Sequence, residues 1–256
     1  MPLLECKEVS RHFGGLKAVN NFNLTIEQGE LIGLIGPNGA GKTTVFNVIT
    51  GVFPPTLGQV LLNGKDLKGK LSYQVTQAGI ARTFQNIRIF KEMTVIDNVI
   101  TMMQPRAGYS LPEAMLHLGR FARRESEMRT EAMALLARFN LAERAMEKAG
   151  SLPYGAQRRL EICRALATKP ELLLLDEPAA GMNPSEVGTL VDLIRGVKND
   201  FNLTVLLIEH QMGLVMNLCE RLVVLDFGET IAAGTPAEIQ SNPKVLEAYL
   251  GKGATA

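Results

Sequence analysis

The sequence predicts an α/β protein with a parallel sheet, into which an all-helical part is inserted. Three observations predict this class. Strand-like apolar runs alternate with helix-compatible runs before residue 88 and again after residue 170. The run Leu172–Asp176 has four consecutive leucines before a charge, which is typical of a strand buried on both faces. Between the two α/β parts, the chain is rich in Ala, Glu, Arg, Leu and Met and predicts helices only.

The first α/β part is expected to begin with strands and to end near the helical insertion. Its predicted strands are 3–9, 22–26, 30–35, 58–62 and 80–84, and its predicted helices are 42–50 and 72–78. In the insertion, Thr94 and Asp97 have the spacing of a capping box, so a helix is expected to begin there and run through Met103. A Pro- and Gly-rich loop is expected at 104–112, and a long helical region at 113–148.

The second α/β part repeats the alternation. Its predicted strands are 172–176, 203–208, 222–226 and 230–233, and its predicted helices are 184–201, 212–219, 236–240 and 243–250.

The composition of the chain limits the kinds of partner and cellular compartment that are expected. The 256 residues carry 27 basic and 26 acidic side chains, so a net charge of +1 gives no electrostatic case for nucleic acid. Cys6, Cys163 and Cys219 form no CxxC pair, which argues against a disulfide framework or a zinc site and fits a reducing compartment. No signal peptide is expected, and no uncharged apolar run approaches the ~20 residues of a membrane helix. At a membrane, the protein is therefore expected to be peripheral.

The glycine-rich loop at residues 36 to 44 carries the strongest chemical signal. Its Gly36-x4-Gly41-Lys42-Thr43 spacing, between a strand and a helix, matches the phosphate-binding loop in full. Glycine lets backbone N–H groups approach an anion, Lys42 adds a cation for the β- and γ-phosphates, and the Thr43 hydroxyl can ligate Mg²⁺. The alternative is a glycine-rich turn that fits by chance, and the full match and its flanks argue against it. The loop predicts binding of a nucleoside triphosphate.

Four polar residues lie at predicted strand ends and predict what happens to the nucleotide. Asp176 is placed to hold Mg²⁺, directly or through water, and Glu177 to orient and deprotonate an attacking water. His210 can contact the γ-phosphate or that water, and Gln85 can reach the metal or the water. Singly, such residues are often helix caps or surface side chains. Together with the phosphate loop, they predict hydrolysis.

With these residues, the chain resembles the ATP-binding subunit of an ATP-binding-cassette (ABC) transporter over essentially its whole length. The resemblance implies a P-loop NTPase ABC cassette with a RecA-like core, an antiparallel β subdomain and an inserted all-helical subdomain. It implies that the core, the β subdomain and the C-terminal helices occupy 1–88 and 160–256. A helical signature subdomain is implied at 89–159.

The resemblance also implies roles for residues. The implied nucleotide-binding residues are Phe13, Val19, Gly36, Pro37, Asn38, Gly39, Ala40, Gly41, Lys42, Thr43, Thr44 and Gln85. The implied metal ligands are Thr43, Gln85 and Asp176, and the catalytic pair is Glu177 with the switch histidine His210. From the residues alone, Phe13 is favoured as a core aromatic. The resemblance reverses this, since Phe13 matches the family's adenine-stacking aromatic, with Val19 beside the same base.

The motif that would meet the partner cassette's ATP departs from the family pattern. The implied signature and D-loop residues are Leu152, Pro153, Tyr154, Gly155, Ala156, Gln157 and Asn183. Pro153 replaces the usual serine, Ala156 replaces the usual glutamine, and Asn183 stands where aspartate is common. Gly155 and the helix start beyond it are retained, so backbone N–H groups can still face an anion.

Longer stretches, YGAQRRLEICRAL and LDEPAAGMNP, resemble the branched-chain (hydrophobic) amino-acid uptake branch of the family. The resemblance implies ATP and Mg²⁺ as cofactors, a second cassette (identical or different), two membrane permease subunits and, indirectly, a periplasmic binding protein. It implies a peripheral location at the cytoplasmic face of the inner membrane. Three alternatives stay open at this point: import of urea, amides or another solute, a non-transport ATPase of the same fold acting in DNA repair or on ribosomes, and a P-loop kinase.

Overall fold

The computed structural model describes residues 1–117 and 119–250. The strands are β1 (Leu4–Phe13), β2 (Leu16–Ile26), β3 (Leu31–Ile35), β4 (Leu57–Leu62), β5 (Lys65–Asp66), β6 (Ile80–Arg82), β7 (Leu172–Asp176), β8 (Thr204–Ile208), β9 (Arg221–Asp226) and β10 (Glu229–Gly234). The helices are α1 (Lys42–Ile49), α2 (Ser72–Ala78), α3 (Val95–Met103), α4 (Leu111–Met115), α5 (Gly119–Arg138), α6 (Tyr154–Ala167), α7 (Pro184–Phe201), α8 (Met212–Leu218), α9 (Pro236–Gln240) and α10 (Pro243–Leu250).

The larger sheet has six strands in the order β10-β9-β3-β8-β7-β6. Its five strands from β9 to β6 are parallel, and β10 is an antiparallel edge. Every residue of β3, β7 and β8 is buried, because apolar clusters cover both faces of the sheet. The predicted parallel α/β core is confirmed.

Alternate residues of the central strands belong to two separate apolar clusters. On β7, Leu172 and Leu174 belong to one cluster, whereas Leu173 and Leu175 belong to the other. The first cluster also includes apolar residues of α1 and of the smaller sheet, β2-β1-β4-β5, whose strands pair antiparallel. The second includes apolar residues of α3, α5, α6, α7 and α8. The sheet therefore separates a β-rich side from a helical side.

The helical insertion differs from its prediction in two places. The predicted helix at 113–148 is wrong beyond Arg138: Asn140 has a φ of 52°, and the N–H of Leu141 donates to the carbonyl of Leu136 at 2.8 Å, which ends α5. Short 3₁₀ turns follow. The predicted loop at 104–112 contains the start of α4, which Ser110 and Glu113 cap through a 2.7 Å bond from the Ser110 N–H to the Glu113 carboxylate.

The two ends of the insertion lie side by side. Thr94 and Lys148 form an antiparallel bridge. The N–H of Ala149 donates to the Met93 carbonyl, and the N–H of Gly150 to the Lys91 carbonyl, each at 2.9 Å. Thr94 also caps α3, as predicted, by accepting a bond from the Asp97 N–H at 3.2 Å.

The first strands are longer than predicted, with β1 reaching Phe13 and β2 beginning at Leu16. Strand β6 is shorter than predicted, since it ends at Arg82 rather than at Phe84. Among the described helices, none combines the length and the apolar character needed to cross a membrane.

Candidate functional site

The glycine-rich loop joins β3 to α1 and has the backbone that its glycines permit. Gly36, Gly39 and Gly41 have φ values of 147°, 81° and 103°. A Cβ on Gly36 would lie 2.0 Å from the Leu225 carbonyl oxygen, and one on Gly41 would lie 2.5 Å from that of Ala18. Larger residues therefore cannot replace these two glycines without moving the backbone. Helix α1 begins with no side-chain cap, so its first N–H groups face the loop.

Lys42 holds its ammonium group inside the loop. Its Nζ donates to the carbonyl oxygens of Gly36 at 2.7 Å and Pro37 at 2.8 Å. Burial lowers the pKa of Lys42, and the nearby carboxylates of Glu177 and Asp176 act in the opposite direction. The loop thus presents a fixed cation and several N–H groups on one side, as an anionic ligand requires.

Glu177 lies directly after β7, between two side chains from other parts of the chain. Gln85 Nε2 donates to Glu177 Oε2 at 2.8 Å, and His210 Nε2 lies 2.6 Å from Glu177 Oε1. The structure thus brings together three residues that the sequence placed at separate strand ends. The Glu177 side chain is 17% exposed, so its carboxylate stays accessible to solvent.

Asp176 is the last residue of β7 and is paired with an arginine that the sequence analysis missed. Arg82 Nη2 donates to Asp176 Oδ2 at 2.6 Å, and each side chain is 6% exposed. Arg82 Nη1 also donates to Asn47 Oδ1 at 2.7 Å, and its guanidinium packs over the rings of Phe46 and Phe84. In the sequence, Arg82 lies inside the predicted strand 80–84, and nothing there indicates which carboxylate it pairs with.

A cavity of about 420 Å³ lies over the loop. Its lining residues are Phe13, Leu16, Lys17, Ala18, Asn38, Gly39, Ala40, Gly41, Lys42, Thr43, Thr44, Glu177, His210 and Phe227. Phe13 is 39% exposed, with its ring edge against Phe53 at 5.3 Å, so the interpretation of Phe13 as a core residue is wrong. Val19 is fully buried and Ala18 lines the cavity in its place, because β2 turns the Val19 side chain into the core. Leu16 and Phe227 were missed, although both are exposed apolar residues beside turns.

A second cavity of about 650 Å³ adjoins the first at Thr43. Gln85 and Asp176 also line it, so the three predicted metal ligands border one space. Hydroxyl, amide and carboxylate oxygens suit a hard cation such as Mg²⁺.

The predicted signature residues form the start of α6 and do not line the cavity over the loop. Pro153 is the N-cap of α6 and provides no side-chain hydrogen bond. Leu152 and Ala156 are buried, Tyr154 is exposed, and Gln157 Nε2 donates to the Leu152 carbonyl at 2.8 Å.

The predicted D-loop residue lies close to that helix start. Asn183 caps α7 by accepting a bond from the Glu186 N–H at 3.0 Å. A Cβ on Gly155 would lie 2.7 Å from Glu186 Oε1. The two motifs that the sequence assigns to a partner cassette therefore lie close together, and neither lines the cavity over the chain's own loop.

A phosphate-binding loop on a parallel sheet, a carboxylate beside it and a helical insertion define a nucleotide-binding cassette. Residues 19–180 match the family model described as ABC transporter, and residues 229–255 match the one described as branched-chain amino acid ATP-binding cassette transporter. The chain belongs to the ABC transporter family and is an ATPase of that family.

Similar proteins span the same length. The high-affinity branched-chain amino acid transport ATP-binding protein LivG of Escherichia coli K12 is 47% identical, over 98% of both chains. BraF of Pseudomonas aeruginosa, with the same description, is 45% identical over 98% of both chains. The solved ADP conformation of MJ1267, an ATP-binding cassette of an ABC transporter, matches with a TM-score of 0.85 and 33% identity, covering 98% of this chain and 100% of that one. The predicted cassette fold and the resemblance to the branched-chain amino-acid branch are confirmed.

Proposed function

We propose that this chain is the ATP-hydrolysing subunit of a membrane importer for branched-chain amino acids. The observation that carries the catalytic part is the Glu177 carboxylate, held between Gln85 and His210 at the edge of the cavity over the phosphate loop. The names of relatives at 47% and 45% identity support the substrate class over urea or amides.

The residues divide the reaction among them. The loop N–H groups and Lys42 bind the triphosphate, and the exposed ring of Phe13 offers a face for the adenine. Glu177 accepts a proton from a water molecule whose oxygen bonds to the γ-phosphorus, while the bond to the β–γ bridging oxygen breaks and ADP leaves. Gln85 and His210 orient Glu177 and contact the water or the γ-phosphate.

Thr43, Gln85 and Asp176 would hold Mg²⁺, since their oxygens border one cavity. When bound, the ion offsets negative charge on the β- and γ-phosphate oxygens.

The cassette works as a head-to-tail pair, with a nucleotide between the loop of one chain and the α6 start of the other. The lack of a side-chain capping bond at the α6 start supports this, because the first N–H groups of the helix can face an anion. Pro153 lacks the usual serine hydroxyl, which weakens the contact by about 1 kcal/mol. We divide the chain into a core at 1–88 and 160–256 and a signature part at 89–159, of which residues 118 and 251–256 lie outside the described residues. Helix α6 runs unbroken through the second boundary.

The pair docks on two permease subunits at the cytoplasmic face of the inner membrane, and a periplasmic binding protein delivers the amino acid. ATP binding closes the pair, and hydrolysis reopens it. In proteoliposomes with its permeases and binding protein, we expect ATP-dependent uptake of labelled leucine. Uptake of urea instead of leucine would contradict the substrate class.

The catalytic role is tested by Glu177→Gln, which keeps the side chain's size but removes the base. We expect the variant to bind ATP with wild-type affinity and to release phosphate at least about 100-fold more slowly, at the lower end of general-base contributions. Equilibrium nucleotide binding and phosphate release measure the two properties separately. Glu127→Gln, on the exposed side of α5, is the control and should match wild type. Wild-type turnover in Glu177→Gln would remove Glu177 from this role.

A further inference from the structure

Helix α6 buries three charged side chains on one face. Arg158, Glu161 and Arg164 are 0%, 5% and 8% exposed, and their spacing of three residues places them in line along the helix. Burying a charge is costly unless it is paired and hydrogen-bonded, so the partners of these residues show what the face holds.

Arg158 donates hydrogen bonds to backbone carbonyls next to the catalytic residues. Its Nη1 donates to the Phe84 carbonyl at 2.6 Å and to Glu161 Oε2 at 2.8 Å. Its Nη2 donates to the Gln85 carbonyl at 2.7 Å and lies 3.5 Å from the Glu177 carbonyl oxygen. One guanidinium thus contacts the main chain of Gln85 and of Glu177, whose side chains bond to each other.

Glu161 also bonds α6 to the segment that follows β6. Its Oε1 accepts from the Arg88 N–H at 3.2 Å and lies 3.4 Å from the Phe84 nitrogen. The segment that follows β6 forms neither helix nor strand up to Thr94, so its polar backbone groups need side-chain partners. The position of the Gln85 backbone is therefore set by α6 as well as by the end of β6.

The same helix begins at the signature motif. Arg158 lies four residues beyond Tyr154, the first residue of α6, which corresponds to about 6 Å along the axis. Because this is about one helical turn of rigid backbone, a displacement of the α6 start reaches Arg158 nearly undiminished.

We propose that Arg158 is a positioning residue that links the two ATP sites of the cassette pair. The inference rests on the proposed function, in which the α6 start of a chain meets its partner's nucleotide. Engagement of that nucleotide moves α6, and Arg158 carries the movement to the backbone of Gln85 and Glu177 at the chain's own site. Arginine suits this role because its planar fork can bond several carbonyls at once, which the ammonium of lysine matches only in part.

The test compares Arg158→Met and Arg158→Lys with Arg164→Met in the full complex with its permeases. Arg164 is a matched control: it is a buried arginine of the same helix face that donates to the Arg88 carbonyl and packs over Phe90, without contacting Gln85 or Glu177. Three quantities are measured: the affinity for ATP, the turnover number, and the Hill coefficient of hydrolysis against ATP concentration.

We expect Arg158→Met to bind ATP within about twofold of wild type, since it leaves the phosphate loop intact. Its turnover number should fall by about 10- to 100-fold, the size caused by misplacing a catalytic group by about 1 Å. Its Hill coefficient should fall from above 1 to 1. Arg158→Lys should recover part of both, and Arg164→Met should keep the wild-type Hill coefficient even if it lowers the melting temperature.

Three outcomes would overturn the proposal. The first is equal loss of turnover in Arg158→Met and Arg164→Met, which would show a purely structural role. The second is an unchanged Hill coefficient in a folded Arg158→Met or Arg158→Lys variant. The third is a wild-type complex whose two sites hydrolyse independently. A wild-type complex that binds no ATP would instead refute the proposed function, and this inference with it.

Discussion

At Glu177 the backbone has a φ of 47°, a left-handed conformation that costs a residue with a Cβ of order 1 kcal/mol. The strain persists because neighbouring groups hold the residue: its N–H donates to the Ile208 carbonyl at 2.9 Å, and its side chain is bonded on both sides. Glu177, Gln85 and His210 were predictable from residue type and strand-end position. Arg82 was not, because the reach of a long side chain leaves no spacing pattern in the sequence.

The Arg82–Asp176 pair gives a prediction on stability. Arg82→Met should lower the free energy of unfolding by about 3–5 kcal/mol, since it leaves the Asp176 carboxylate buried without its cation. Urea unfolding without nucleotide measures the loss.

The partly exposed pair Lys198–Glu220, whose side chains are 18% and 54% exposed, provides the comparison for that measurement. Lys198→Met should change stability by less than about 1 kcal/mol, because the Glu220 side chain is 54% exposed and water replaces the partner. A loss at Arg82 no larger than that at Lys198 would contradict the importance given to the buried pair.

At the scale of elements, agreement with prediction follows the strength of the local signals. The bounds of α2, α7, α9 and α10 match the prediction, and three of these helices have proline within their first turn or a capping residue just before it. Helix α5 ends ten residues before the predicted boundary, because Asn140 is not a strong terminator in the sequence and the following segment pairs with distant residues near Thr94. Long-range pairing of this kind has no local signature.

Helix α7 contains a glycine whose replacement by alanine should stabilise the protein. Gly196 lies in its exposed part, and a Cβ there would meet no atom within 4 Å. We expect Gly196→Ala to raise the free energy of unfolding by about 0.5–1 kcal/mol, because alanine loses less backbone entropy in a helix.

Urea unfolding of Gly196→Ala should show a higher midpoint with an unchanged slope. The contrasting variant is Gly36→Ala, at a position where φ is 147° and a Cβ would be 2.0 Å from the Leu225 carbonyl oxygen. This variant should lose stability and ATP affinity together. A lower midpoint for Gly196→Ala would show that α7 uses this glycine for a purpose other than packing.

At the scale of the whole molecule, the two apolar clusters on opposite faces of the sheet enclose all three cysteines. Cys6 lies on the β-rich side, and Cys163 and Cys219 lie on the helical side. Burial raises the pKa of Cys6 and Cys219 from 9.0 to about 12 and raises that of Cys163 as well. The sequence predicted reduced thiols, but it could not place them in the core without knowing which strand residues face inward.

The buried thiols predict a loss of stability in alkali. The unfolded chain ionises them above about pH 9 while the folded chain keeps them protonated, so their contribution is complete below that pH and is lost as the pH rises towards 12. Each thiol should lower the free energy of unfolding by about 1.4 kcal/mol per pH unit in this window. Urea unfolding at about pH 9.5 and pH 10.5, both inside this window, measures the slope.

Cys6→Ala should show a shallower slope than wild type by the amount of one thiol. Val9→Ala, a neighbouring buried residue of β1 that does not ionise, should lower stability yet keep the wild-type slope. Equal slopes for all three proteins would mean that Cys6 ionises as readily in the folded as in the unfolded chain.

The antiparallel pairing of residues 91–94 with 148–150 means that changes in the length of the helical insertion do not affect the core. The chain enters and leaves the helical insertion at neighbouring points. Residues added or deleted within the insertion therefore change its size without displacing the paired segments 91–94 and 148–150. Insertions or deletions in this region should therefore leave the distance between Gln85 and the start of α6 unchanged.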